Sequence, residues 1–141
     1  MALVHLIYVS TAITLYDDVE LDKMLESAVR HNAPQQVTGM LLYGDGNFMQ
    51  VIEGEGAAID ETYGRIVKDP RHKHILLLEH GPTEGRQFSQ WNMGFRRLDR
   101  SDTATHPAYV DFFANGFDSA QLAKHYRGAM TMLKEFGASQ R

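Results

Sequence analysis

Four residues, Gly44-Asp45-Gly46-Asn47, separate two short apolar runs at 38–43 and 48–53, and this break constrains the fold more than any other feature of the chain. A turn-rich interval of that length between two strand-like runs reads as a β-hairpin. A helix-like segment lies on each side of it. Before the hairpin, Leu21, Met24, Leu25, Ala28 and Asn32 recur at spacings of three and four. Asp17 or Asp18 is placed to cap that helix and Pro34 to stop it. After the hairpin, Gly54 and Gly56 break the chain, and residues 57–67 form a second helix with Ile59, Tyr63, Ile66 and Val67 inward, ended by Pro70. Residues 3–10 are apolar on both faces, as a central strand requires. Residues 74–79 form a fourth strand and 88–95 a fifth. The order β-α-β-β-α-β-β is that of an α+β, ferredoxin-like sheet with two helices on one face. In that topology the first and third strands are central neighbours.

From Ser101 the pattern changes. Residues 107–115 and 119–136 read as two C-terminal helices, the longer with Leu122, Tyr126, Ala129, Met130 and Leu133 as its stripe. Two helices cannot bury a core alone, so the chain divides into a sheet domain, 1–98, and a helical extension, 99–141, that packs on the sheet or on a partner. In 141 residues there is room for one ordinary domain. The absence of cysteine excludes disulfides, thiolate metal sites and thiol chemistry. With 14 basic against 18 acidic side chains the chain lacks the basic face that nucleic acid demands. The apolar runs at 40–43 and 75–78 are far too short to span a bilayer, and residues 1–10 carry no basic leader. A soluble cytoplasmic domain is expected.

Three polar side chains fall where apolar ones belong. Asn32 extends the stripe of the first helix, Gln50 sits between Phe48 and Ile52 on one strand face, and Tyr8 shares a face with Val4 and Leu6. Each has an ordinary explanation by itself: a helix-end amide, a solvated glutamine, a core tyrosine with its hydroxyl at the rim. Together they suggest more. If the central strands are neighbours, Tyr8 and Gln50 meet on the helix-covered face. A buried amide without partners costs about 1–3 kcal/mol, so converging amides and a phenol call for a polar, planar occupant.

The text around these residues resembles the BLUF family, sensors of blue light using flavin. The resemblance is carried by Leu6-Ile7-Tyr8-Val9-Ser10, by Asn32 followed by Val37-Thr38-Gly39-Met40-Leu41-Leu42-Tyr43, and by Gly46-Asn47-Phe48-Met49-Gln50-Val51-Ile52-Glu53-Gly54. Ser89-Gln90-Trp91-Asn92-Met93-Gly94-Phe95 completes it. The family likeness implies a flavin between the two helices, with Asn32 on its pyrimidine edge and Met24 and Ile66 packed against the ring. By the same likeness Arg65 and Asp69 contact the polar ring edge, Lys68, Arg71 and His72 lie near the ribityl chain and phosphates, and His31 neighbours the ring. FAD is the family's usual cofactor, and FMN, which shares the ring and first phosphate, is the alternative. The resemblance also implies a photoreceptor and not an enzyme. Light drives an electron and then a proton from Tyr8 through Gln50, whose amide ends rotated or tautomerised. The signal then passes along the Trp91–Met93 strand to the C-terminal helices, and from there to an unidentified protein partner or to other copies in a homo-oligomer.

Two other readings share these residues. A flavin-dependent reductase binds the same cofactor, although no G-x-G-x-x-G fingerprint follows a strand here. A flavin-free ferredoxin-like binding module predicts a colourless protein. His72 and His74, two residues apart on one strand, are a weak metal pair, and no metal site is expected.

Overall fold

A computed structural model describes residues 2–44, 46–89 and 92–97. The elements are β1 (Leu3–Ala12), α1 (Asp18–Asn32), β2 (Thr38–Gly44), β3 (Asn47–Glu55), α2 (Gly56–Lys68), β4 (His72–Pro82) and β5 (Gly94–Arg97). They form one sheet in the order β4-β1-β3-β2-β5. β1 runs antiparallel to both β3 and β4, β2 is antiparallel to β3, and β5 is parallel to β2. This is the expected α+β arrangement with β1 and β3 at its centre. The two C-terminal helices expected at 107–115 and 119–136, and Trp91, lie outside the described residues.

Local chemistry explains the boundaries. Asp17 caps α1: its carboxylate accepts the Glu20 N–H at 2.8 Å, and the Glu20 side chain accepts the Asp17 N–H in return. Pro34 sits in a short 3-10 turn, Ala33–Gln35, that tightens the end of the helix. Gln36 then takes a left-handed conformation, φ 56°, which turns the chain into β2. The hairpin pairs Gly44 with Asn47, and Gly46 supplies the positive φ of 84° that so tight a turn requires.

Both faces of the central strands are buried. On the helix side Leu6, Tyr8, Leu41, Phe48 and Ile52 pack with Leu21 of α1 and Ile59 of α2. On the other side Ile7, Val9, Met40, Leu42, Met49 and Val51 are all buried. At about 1.5–3 kcal/mol for each fully buried aliphatic side chain, this double burial is what holds the central strands.

Three sequence expectations need correction. Val67 does not face inward but is 51% exposed, because it lies about 100° round the helix from Ile66, off the Ile59–Tyr63–Ile66 stripe. The fourth strand is longer than residues 74–79, reaching from His72 to Pro82. The fifth strand begins at Gly94, not at residue 88, so Phe95 belongs to it and Met93 does not. The residues before it are a crossing connection. It must carry the chain from the β4 edge to the β2 edge, and its Gln87 and Phe88 N–H groups bond to the Glu53 side chain rather than to a neighbouring strand. Among the described residues no helix is long and apolar enough to cross a membrane.

Candidate functional site

A cavity of about 540 Å³ opens between α1 and α2, floored by β1, β2 and β3. Tyr8 and Gln50 reach it because they stand directly opposite each other in the β1–β3 register, and Leu41 is opposite Gln50 on the other side. Directly opposed residues on one face bring their side chains into contact. The Tyr8 hydroxyl donates to Gln50 Oε1, and Gln50 Nε2 donates to Met93 Sδ at 3.2 Å. One amide, 6% exposed, thus joins a phenol to a thioether.

α1 contributes Met24, His31 and Asn32 to the cavity, and the Asn32 Nδ2 donates to the Asn92 carbonyl at 3.0 Å. The Asn92 amide in turn donates to the Val37 carbonyl at 3.1 Å. α2 contributes Arg65, Ile66 and Lys68, and the turn after it contributes Asp69, Arg71 and His72. Cations therefore collect at one mouth of the cavity. Asp69 is gripped by Arg71, whose Nε donates at 2.9 Å and whose Nη2 donates at 2.5 Å. Burial alone would raise the Asp69 carboxyl, but the Arg71 hydrogen bonds and charge, with help from His72, hold it below the usual carboxylate range. His72 Nε2 meets the Ile66 carbonyl at 2.6 Å, which can only accept, so that nitrogen carries the proton. His72 Nδ1 meets the Ser10 hydroxyl at 2.7 Å. Both His72 ring nitrogens are thus engaged, and a left-handed His74 (φ 53°) interrupts the strand alternation between the two histidines.

All of Tyr8, Gln50, Asn32, Met24, Ile66, Arg65, Asp69, Lys68, Arg71, His72 and His31 line this one cavity. Met93 does not line it and reaches it through Gln50. Sequence reasoning missed Thr62, which is 2% exposed and whose Oγ1 is buried without a hydrogen-bond partner in the cavity wall. The signal was there: Thr62 interrupts the Ile59–Ile66 stripe as Asn32 interrupts that of α1. It also missed Asn92, whose backbone carbonyl, not its side chain, meets Asn32.

Burial pushes the Tyr8 phenol above its ordinary value, with the Asp69 charge and Tyr63 adding to the effect. The ring of Tyr63 lies 6.0 Å from that of Tyr8. The Tyr8 phenol is therefore held neutral, with its hydroxyl donating to Gln50 Oε1.

The family profile described as sensors of blue-light using FAD matches residues 3–94. The photoactivated adenylate cyclase subunit beta of Euglena longa is 36% identical over 88 residues, 62% of this chain and 10% of its own. The chain thus spans about a tenth of the length of such curated relatives. Among solved structures, BlrB, a BLUF protein in its dark state, superposes with a TM-score of 0.69 at 30% identity, covering 88% of this chain and 94% of BlrB. Klebsiella pneumoniae BlrP1, solved with FMN and cyclic diGMP, superposes with a TM-score of 0.65 at 31% identity, covering 74% of this chain and 29% of BlrP1.

Proposed function

Since the chain belongs to the BLUF family of blue-light sensors, we propose that its cavity holds an oxidised flavin and that light resets the Gln50 amide beside it. The donor set fits such a group. Asn32 offers an amide to a heterocycle edge, the Thr62 hydroxyl waits without a partner, and Met24 and Ile66 supply apolar contact from opposite helices. Arg65, Lys68 and Arg71 line the same cavity, and their cations suit the phosphates of such a group. FAD is the family's flavin, and FMN, present in BlrP1, engages the same ring and first phosphate.

A bound flavin supplies one thing, an electron acceptor that blue light activates. The chain supplies the rest. Tyr8 gives the electron, and its proton passes to Gln50 Oε1 along the bond already made. When the electron and proton return, the amide is left rotated or tautomerised, with atoms and charge as they began. An amide suits this because its two ends are a donor and an acceptor. Rotation would turn Oε1 toward Met93, whose sulfur can only accept, so the Gln50–Met93 bond is lost. That loss is the start of the output, passed through Met93 and Trp91 to the 99–141 extension and then to a protein partner or a second copy of the chain. The protein acts as a cytoplasmic sensor and not as an enzyme.

The observation that carries this reading is the single amide held between Tyr8 and Met93. The experiment is the visible absorption spectrum of the flavin-loaded protein, in the dark and after blue light. A slight red shift that relaxes in the dark is expected. Simple bleaching would point to a redox enzyme, and failure to take up flavin would leave a ferredoxin-like binding module.

A further inference from the structure

Glu53 is a carboxylate with 0% exposure on β3, three residues from Gln50 and on the opposite face of the sheet. Its Oε2 accepts the Gln87 N–H at 2.6 Å, and its Oε1 accepts the Phe88 N–H at 2.9 Å and the Thr38 hydroxyl at 3.1 Å. Arg86 Nη1 reinforces the site by donating to Thr38 Oγ1 at 2.8 Å and to the Glu53 backbone carbonyl at 3.2 Å. A buried charge is tolerated only while its donors stay in place, so this cluster resists any drift of the connection that supplies two of them. Five residues after Phe88 that connection delivers Met93 to Gln50. Five residues of chain reach at most about 17 Å, so the place where Phe88 is held bounds where Met93 can lie.

We infer that Glu53 is a positioning residue that sets the reach of the 86–93 connection and thereby the Gln50–Met93 contact. The inference rests on the reading of Gln50 as the amide that switches. One strand then holds the connection at two points of different kind. The carboxylate can only accept, and it keeps its grip in every state. The amide can exchange its ends and let go. When it does, the anchored side stays fixed, and the released motion goes to Met93 and β5, whose pairing with β2 starts at Gly94 and Met40.

The test compares the wild type with Glu53→Gln, which removes one acceptor and sets an amide NH₂ against a backbone N–H. Two quantities are read in the dark on the flavin-loaded protein and again without flavin. They are the hydrogen-exchange rates of the Gln87 and Phe88 amides, and the ¹³C-methyl signal of Met93, assigned with Met93→Leu. Exchange at least tenfold faster at both amides is expected, with the Met93 signal moved toward its position in Gln50→Leu. A merely local anchor would speed exchange and leave the Met93 signal where it is, and that result overturns the inference. So does unchanged exchange. Thr38→Val, which removes one donor to Glu53 and one acceptor of Arg86, should shift both readouts in the same direction by less, and it serves if Glu53→Gln does not fold. Neither readout needs a light response. A protein that loads flavin but shows no light-driven shift therefore contradicts the proposed function and leaves this test intact.

Discussion

Gln50 and Glu53 are both buried polar side chains on β3, yet their surroundings are of opposite kind. Gln50 faces the cavity and has one neighbour at each end, a donating phenol and an accepting sulfur. Glu53 faces the other way and has donors only, two backbone N–H groups and a hydroxyl. The neutral amide can invert at no cost in charge, whereas the carboxylate has no second arrangement available to it. The difference teaches where a sheet can move. A residue that both donates and accepts can be a switch, and one that only accepts can be a fixed point.

Removing the phenol breaks the comparison most completely. Tyr8→Phe leaves the cavity intact and deprives Gln50 of its proton donor, so the red-shifted state should vanish while flavin stays bound. Spectra before and after blue light check this, and a normal photocycle in the variant would remove Tyr8 from the mechanism. Next in size is Gly39→Ala. Gly39 lies opposite Ile52 in the β2–β3 ladder, and a Cβ there would run into the Val51 carbonyl oxygen, which is backbone and cannot step aside. A loss of about 3 kcal/mol is expected, read as a lower urea midpoint, because the strands that present Gln50 must part.

The alkaline limb gives a smaller effect. The Tyr8 phenol is raised by burial, so the unfolded chain loses that proton first as pH rises. Its contribution is complete below the ordinary tyrosine value of about 10 and declines above it, by about 1 kcal/mol for each further unit. Urea unfolding at pH 9 and pH 11 should show a shallower decline in Tyr8→Phe than in the wild type, and equal slopes would refute the assignment. The smallest effect belongs to the Asp69–Arg71 pair, which is partly exposed. Asp69→Asn should cost a few tenths of a kcal/mol. Because the Asp69 carboxyl is held low, that contribution is present at neutral pH and disappears only as pH falls below the ordinary carboxylate range. Thermal melts should differ between variant and wild type by more at pH 7 than at pH 3.

Much of the sheet was legible because its signals are local. The hairpin follows from a glycine-rich break, α1 from Asp17 and a three–four spacing, and the Tyr8–Gln50 meeting from strand alternation combined with a known strand order. The connection before β5 was not legible. Its amides are satisfied by a side chain from another strand, so residues 88–93 look like an ordinary strand until the partner is known. Glu53 hid for the same reason, since before Gly54 it reads as the polar end of a strand. Val67 was misplaced because spacing gives a stripe but not its edge, and Thr62 was passed over because a lone hydroxyl in a helix is unremarkable until its surroundings are seen to be closed.

The most direct measurement of the central claim is the light-minus-dark absorption spectrum of flavin-loaded Gln50→Leu beside the wild type. If the amide is the switch, the wild type shifts slightly to the red and recovers in the dark, while the leucine variant binds flavin and shows no shift. A full, reversible shift in Gln50→Leu would mean that another group rearranges, and the account given for Tyr8, Gln50 and Met93 would be wrong.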